Sequence, residues 1–289
     1  MLKKLSYLNP GLISDFILRA LKEDIGPGDY STLSAIDEGT EGHASLIIKD
    51  HGVLAGVDVA SQVFEVIDDS LEVVIGINDG EIVKPGEIVL SVSGSARSIL
   101  SSERLVLNIM QRMSGIATKT ARVLSLIEGT GVKLLDTRKT TPNFRAFEKW
   151  AVKIGGGENH RFALYDMIML KDNHIDYSGG ITSAVAKSRA YLSKSSLNLK
   201  IEVETRTLPE VKEAIEVGVD IIMLDNMSTD VLREAVLMVD KQCITEASGG
   251  INENNILAVA ETGVDYISVG ALTHSYESLD MSLKASLKG

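Results

Sequence analysis

The chain has 289 residues, 44% apolar and 24% charged, which is long enough to bury a large core in one or two domains without disulfide staples. Its net charge of −11, from 40 acidic and 29 basic side chains, argues against a nucleic-acid or anionic-membrane partner, and no segment has the roughly 18 uninterrupted apolar residues of a membrane span. Cys243 is the only cysteine, so no internal disulfide can form, and the start MLKKLSYLNPG lacks the apolar core of a secretory signal; a cytoplasmic location is expected.

Asn9 and Pro10 signal the start of a first helix, with Leu12, Ile13, Phe16, Ile17, Ala20 and Leu21 on one stripe. Gly26, Pro27 and Gly28 end it. Strands are expected at 43–50 and 71–77 and in EIVLSVSG after Pro85-Gly86, with a helix over 56–67 between the first two. Such a mixture reads as an α+β layer structure. From Arg97 the pattern turns to long helical periodicity, with a break expected at Ser114-Gly115.

A regular alternation follows. Short apolar runs begin near 132, 167, 200, 220, 243 and 265, separated by helical patterns around 145–154, 181–192, 208–216, 228–239 and 252–262. Strand, helix, strand at this spacing means right-handed βαβ units and a parallel sheet. Six such strands make either an open doubly wound sheet or an incomplete α/β barrel. The strand ends favour the barrel. They are Asp136-Thr137-Arg138-Lys139, Lys171-Asp172-Asn173-His174, Glu202 with Glu204, Asp225-Asn226, Ser248-Gly249-Gly250, and Gly270. A barrel brings all these ends to one mouth, whereas an open sheet strings them along a line.

The densest chemistry lies between Leu134 and His174, where Arg138, Lys139, His160, Arg161, Lys171 and His174 cluster. In an acidic protein such a cluster points to a small polyanion, since Arg grips carboxylate or phosphate with a planar fork and Lys adds a point charge. Gly155-Gly156-Gly157 could cradle phosphate through backbone N–H groups or form a turn that positions His160 and Arg161, and the lack of a following helix start favours the turn. Ser248-Gly249-Gly250 and Gly270, on the last two strands, suit a phosphate clamp. Glu204 and Asp225 end neighbouring strands. They could share Mg²⁺ with substrate phosphates, bond sugar hydroxyls, or pair with the lysines. Spacing alone makes Arg104, in SSERLVLNIMQRM, an exposed helix residue. No zinc-ligand spacing is present.

At these residues the chain resembles the quinolinate phosphoribosyltransferases. The segments are LKEDIGPGDYST, SERLVLNIMQRMSGIAT, LLDTRKTTPNFR, GGGENHRF, LKDNHI, IEVET, MLDNM, SGGI and ETGVDYISVGALTH, in that order over essentially the whole chain. The resemblance implies an α/β fold: an N-terminal α/β sandwich over 1–105, joined by a C-terminal helix at 276–289, and an incomplete six-stranded TIM-like barrel over 106–275. It implies a Mg²⁺-dependent pentosyltransferase of NAD biosynthesis that makes nicotinate mononucleotide, pyrophosphate and CO₂ from quinolinate and phosphoribosyl diphosphate. It also implies a homodimer in which Arg104 reaches the neighbouring subunit's site. By the same resemblance Thr137, Arg138, His160, Arg161 and Lys171 match substrate-binding positions, and Lys139 lies between the two substrates. Glu204 and Asp225 would sit near Mg²⁺ and ribose, and Ser248, Gly249, Gly250 and Gly270 near the 5′-phosphate. Lys139, Lys171, Glu204 and Asp225 are thus the catalytic candidates. Asn143 departs from a frequent family glycine without removing a charged contact.

Overall fold

The computed structural model describes residue 5 and residues 7–286. In chain order its helices are α1 (Pro10–Ile25), α2 (Tyr30–Ala35), α3 (Val57–Ile67), α4 (Ala96–Ser125), α5 (Arg145–Ile154), α6 (Asp172–Ser178), α7 (Ile181–Ser195), α8 (Leu208–Val217), α9 (Thr229–Val239), α10 (Ile256–Ala260) and α11 (Ala271–His274). The strands are β1 (Glu41–Ile48), β2 (Gly52–Val53), β3 (Glu72–Ile75), β4 (Ile82–Val83), β5 (Ile88–Ser95), β6 (Lys133–Leu135), β7 (Ile168–Leu170), β8 (Ile201–Thr205), β9 (Ile221–Asp225), β10 (Ile244–Ser248), β11 (Tyr266–Ser268) and β12 (Met281–Ser286). No helix among the described residues is long and apolar enough to cross a membrane.

The chain forms two compact units. The first comprises 1–121, 140–156 and 275–289, and the second 122–139 and 157–274. The boundary expected at 105 falls inside the unbroken α4, and α5, expected in the barrel, belongs to the first unit. The reason is aromatic packing: Phe147 on α5 is fully buried, with its ring 4.6 Å from Phe16 of α1 and 5.1 Å from Phe144.

The first unit carries an antiparallel sheet in the order β12-β1-β5-β3. Asn9 caps α1 as expected, accepting from the Leu12 N–H, and Ile13, Ile17 and Leu21 form its buried stripe. Along β1, Ala44, Leu46 and Ile48 are buried at every second position.

The C-terminal segment corrects the helix expected at 276–289. Met281–Ser286 is a strand antiparallel to β1, with Leu46 opposite Leu283, and residues 287–289 lie outside the described residues. An open edge of β1 offers backbone donors and acceptors that only another strand can satisfy in register. The alternating Met281-Ser282-Leu283-Lys284 pattern puts Met281 and Leu283 into the core.

The break expected at Ser114-Gly115 is absent too. The Ser114 hydroxyl accepts from the Ala55 N–H at 2.9 Å, and Gly115 lies against the Glu277 backbone where a Cβ would clash. The glycine permits close approach of two backbones, which does not require it to end the helix. Gly115→Val should therefore cost about 1–3 kcal/mol by overpacking, well above its gain in helix propensity. Urea unfolding will read this as a lower midpoint, and an unchanged midpoint would refute the close approach.

In the second unit six parallel strands run β6-β11-β10-β9-β8-β7, all at the places the alternation indicated. The side-chain period of two points Val203, Ile222, Leu224, Ala247 and Ile267 into buried surroundings. β6 and β7 are the two edges and do not pair with each other. Beside β6, Glu158 makes a parallel bridge with Leu135.

Candidate functional site

The second unit holds a cavity of about 850 Å³. Residues following all six strands line it: Lys139 beyond β6, Lys171 beyond β7, Glu204 of β8, Asp225 of β9, Ser248 of β10 and Gly270 beyond β11. The ends of both edge strands meet in the same cavity, so the sheet is curled as an incomplete barrel and is not an open plane. Its mouth is at the C-terminal ends of the strands, as in α/β barrels generally.

Of the candidates named above, Thr137, Arg138, Lys139, His160, Arg161, Lys171, Glu204, Asp225, Ser248, Gly249, Gly250 and Gly270 line this cavity, whereas Arg104 and His174 do not. Arg104 is exposed on α4, in the first unit. Gly155-Gly156-Gly157 does not line the cavity; Gly155 caps α5 and lies against the Ala117 backbone. The expected helix at 252–262 is shorter, so it starts at Ile256, six residues beyond Gly250. α11, by contrast, begins directly after Gly270.

The segment Asn159-His160-Arg161 is hung on a buried carboxylate. Asp136, at the end of β6, accepts from the Asn159 side-chain amide at 2.7 Å and from the His160 backbone N–H at 2.9 Å. His160 Nε2 lies 3.0 Å from Glu202 and 3.4 Å from Glu246. Both carboxylates are at most 1% exposed. Burial alone would push the imidazole pKa down, but the two carboxylates reverse this and push it up to about 10. His160 Nδ1 accepts the Arg161 backbone N–H at 2.8 Å, a neutral bond that a second ring proton has to displace. The two buried carboxylates favour the charged ring, whereas the bond at Nδ1 favours the neutral Nε2–H tautomer, which can itself donate to Glu202. Burial likewise pushes the Glu202 carboxyl above its usual range, opposed by the hydrogen bond from His160. These three side chains bring ligand-capable atoms within 4.8 Å of one another, and the attraction between the imidazole and the two carboxylates holds them together.

Above this floor the charges separate. Burial and the nearby Arg138 charge both lower the pKa of Arg161. The Arg161 guanidinium also donates to the Met167 carbonyl at 3.2 Å. The Lys171 backbone N–H donates to His174 Nδ1 at 3.0 Å, fixing the start of α6. Burial and the Asp225 charge push the Glu204 carboxyl up, and Lys171 relieves part of this. Asp225 accepts from the Asn226 amide at 2.7 Å, and Asn226 occupies the space that a side chain on Gly249 would need. Glu204 and Asp225 are hard oxygen donors, a donor set that suits Mg²⁺.

Sequence reasoning named Asp136 and Glu202 only as polar strand ends and missed the rest of the floor. Met169, Met223, Glu246 and Ser268 line the cavity two residues before Lys171, Asp225, Ser248 and Gly270, and Glu202 lies two before Glu204. A strand period of two, counted back from each polar end, was the signal that could have found them.

Residues 29–114 match the family model for the N-terminal domain of quinolinate phosphoribosyl transferase, and residues 116–284 match that for its C-terminal domain. The chain belongs to the quinolinate phosphoribosyltransferase family. Among its relatives, the probable nicotinate-nucleotide pyrophosphorylase [carboxylating] of Bacillus subtilis is 41% identical over 96% of this chain and 93% of its own length. The chloroplastic nicotinate-nucleotide pyrophosphorylase [carboxylating] of Oryza sativa subsp. japonica is 45% identical over 92% of this chain and 75% of its own. The crystal structure of NadC from Streptococcus pyogenes superposes with a TM-score of 0.92 at 42% identity, covering 98% of this chain and 99% of the other. The expected α/β fold, an N-terminal α/β sandwich plus an incomplete six-stranded barrel, is met by an antiparallel sheet with helices in the first unit and six parallel strands in the second.

A pH test follows from the floor. The folded His160 pKa of about 10 exceeds the ordinary 6.5, so its ion pair stabilises the protein fully below pH 6.5 and is lost as pH rises through about 10. The stability advantage of the wild type over His160→Gln should therefore shrink across that window in urea unfolding. An advantage independent of pH would mean that the ring is never charged.

Proposed function

We propose that this chain transfers the phosphoribosyl group of phosphoribosyl diphosphate to quinolinate, with loss of CO₂. The products are nicotinate mononucleotide and pyrophosphate, a step of NAD biosynthesis. The observation that carries the reading is the pairing of Arg138 and Arg161 in one cavity with Lys139 and Lys171. Like charges held close enough that one arginine lowers the pKa of the other call for a polyanion between them. Quinolinate brings two carboxylates, and the diphosphate brings the remaining negative charge.

Binding comes first in the mechanism. Arg138, Arg161 and Lys171 take the quinolinate carboxylates, with Thr137 and His160 at the same end of the cavity. Ser248, Gly249 and Gly250 offer backbone N–H groups to the 5′-phosphate, as glycine-rich turns do. Glu204 and Asp225 are the residues that would hold Mg²⁺, which supplies charge neutralisation for the departing pyrophosphate. Lys139 adds a cation between the two substrates. As the bond to pyrophosphate breaks, the ribose acquires oxocarbenium character and the pyridine nitrogen attacks its C1. Loss of the adjacent carboxylate as CO₂ leaves its electron pair on C2 of the quaternised ring, stabilised by the neighbouring positive nitrogen, and that carbon then takes a proton from water. No strong base is needed, so positioning and electrostatics carry the rate.

Arg104 completes the site of the neighbouring subunit in a homodimer; its exposure on α4 and its absence from the residues that line the cavity support this part of the reading. The lone Cys243 fits a cytoplasmic enzyme.

Purified protein with quinolinate, phosphoribosyl diphosphate and Mg²⁺ should release nicotinate mononucleotide and CO₂ in equal amounts. Nicotinate in place of quinolinate should give no product; product from nicotinate alone would overturn the acceptor. Arg138→Ala and Lys139→Ala should each lose about 2–4 kcal/mol of transition-state stabilisation, by analogy with one preorganised donor. Full activity in either variant would refute its role. Asp225→Asn should raise the Mg²⁺ concentration needed for half-maximal rate, and an unchanged requirement would remove Asp225 from the metal site.

A further inference from the structure

Lys139 is the last residue of the second unit before the chain leaves it, yet its backbone is held on both sides. Its N–H donates to Thr137 Oγ1 at 3.0 Å. Its carbonyl accepts from Thr273 Oγ1 at 2.8 Å, in a bond that the same hydroxyl shares with the Gly270 carbonyl at 3.2 Å. Thr273 is 2% exposed and stands on α11, 134 residues away in sequence. A Cβ on Gly270 would lie 2.8 Å from Lys139 Cδ and 3.1 Å from His274 Nε2. The space above Gly270 is thus already taken by the aliphatic stem of Lys139 and by the His274 ring. Gly270 has no positive φ, so its missing side chain is a matter of room and not of backbone conformation.

We propose that Thr273 is a positioning residue for Lys139, its buried hydroxyl fixing the Lys139 carbonyl while Gly270 leaves the trough in which the lysine stem lies. The inference rests on the phosphoribosyl-transfer reading for its kinetic consequence, and on geometry alone for the seat itself. A lysine carries four rotatable stem bonds, so its ammonium reaches a fixed point only if backbone and stem are both constrained. Thr137 and Thr273 constrain the backbone, and Gly270 with His274 bounds the stem. On this account Gly270 serves Lys139 as well as a phosphate.

Two measurements test this, one independent of activity. In the first, lysines are ¹³C-dimethylated and the Lys139 signal is assigned by its loss in Lys139→Arg. That signal should shift in Thr273→Val and Gly270→Ala and stay in place in Thr273→Ser, which keeps the hydroxyl. In the second, Thr273→Val should lower kcat roughly 10- to 100-fold through misplacement of one group, with quinolinate KM within about twofold. Thr273→Ser should restore it. In a Lys139→Ala background Thr273→Val should cost nothing further, because both act through one ammonium. An unmoved Lys139 signal overturns the seat. A full additional loss in the Lys139→Ala background overturns the link to Lys139 and leaves Thr273 with a general structural part. If the wild type does not use quinolinate, the functional reading fails, and the spectra still decide the seat.

Discussion

The site depends on a buried balance of charge. Arg138, Lys139, Arg161 and Lys171 share one cavity, and without counter-charges their mutual repulsion would oppose folding. The repulsion is felt most by the half-buried pair, since the Arg138 charge lowers the pKa of Arg161. Beneath the cations lie Asp136, Glu202 and Glu246, all buried. Asp136 holds the segment through the Asn159 side-chain amide and the His160 backbone N–H, and the two glutamates hold His160 by its ring. The anionic floor therefore does two things at once. It offsets the repulsion above it, and it gives His160 and Arg161 one geometry, so little reorganisation remains when substrate arrives.

Barrel curvature makes this balance possible. β6 and β7 do not pair, yet residues beyond both edges face the same cavity. Glu202 on β8 and Glu246 on β10 are separated by one strand, and they reach one imidazole because their side chains point to the inside of the curve. A flat sheet would hold them apart. In the same way, Gly249 yields space to Asn226 and Gly270 yields space to Lys139, so neighbouring strand ends close over one another.

Much of the barrel was legible in the sequence. Six short apolar runs, each ending in charge or glycine, mark six strands whose ends gather, and the polar ends named nearly all of the cavity's upper lining. The floor was harder to read, because a glutamate inside an apolar run such as Ile201-Glu202-Val203 looks like a strand-end variation until its partner is known. Glu246 and Glu202 acquire meaning only through His160, which lies on a separate loop.

The sequence by itself determined the periodicities: the first helix with its Asn9 cap, the alternation of strand and helix after residue 132, and the cationic cluster set in an acidic chain. These are local properties, readable from neighbours a few residues apart. The tertiary structure decided the rest. Met281–Ser286 became a strand because the edge of β1 needed a partner. Gly115 stayed helical because the Glu277 backbone packs against it. Thr273 came to hold Lys139 because the start of α11 folds back against the end of β6. In each case the deciding contact joins residues more than a hundred positions apart, and no local pattern encodes which distant backbone group will be left wanting a partner.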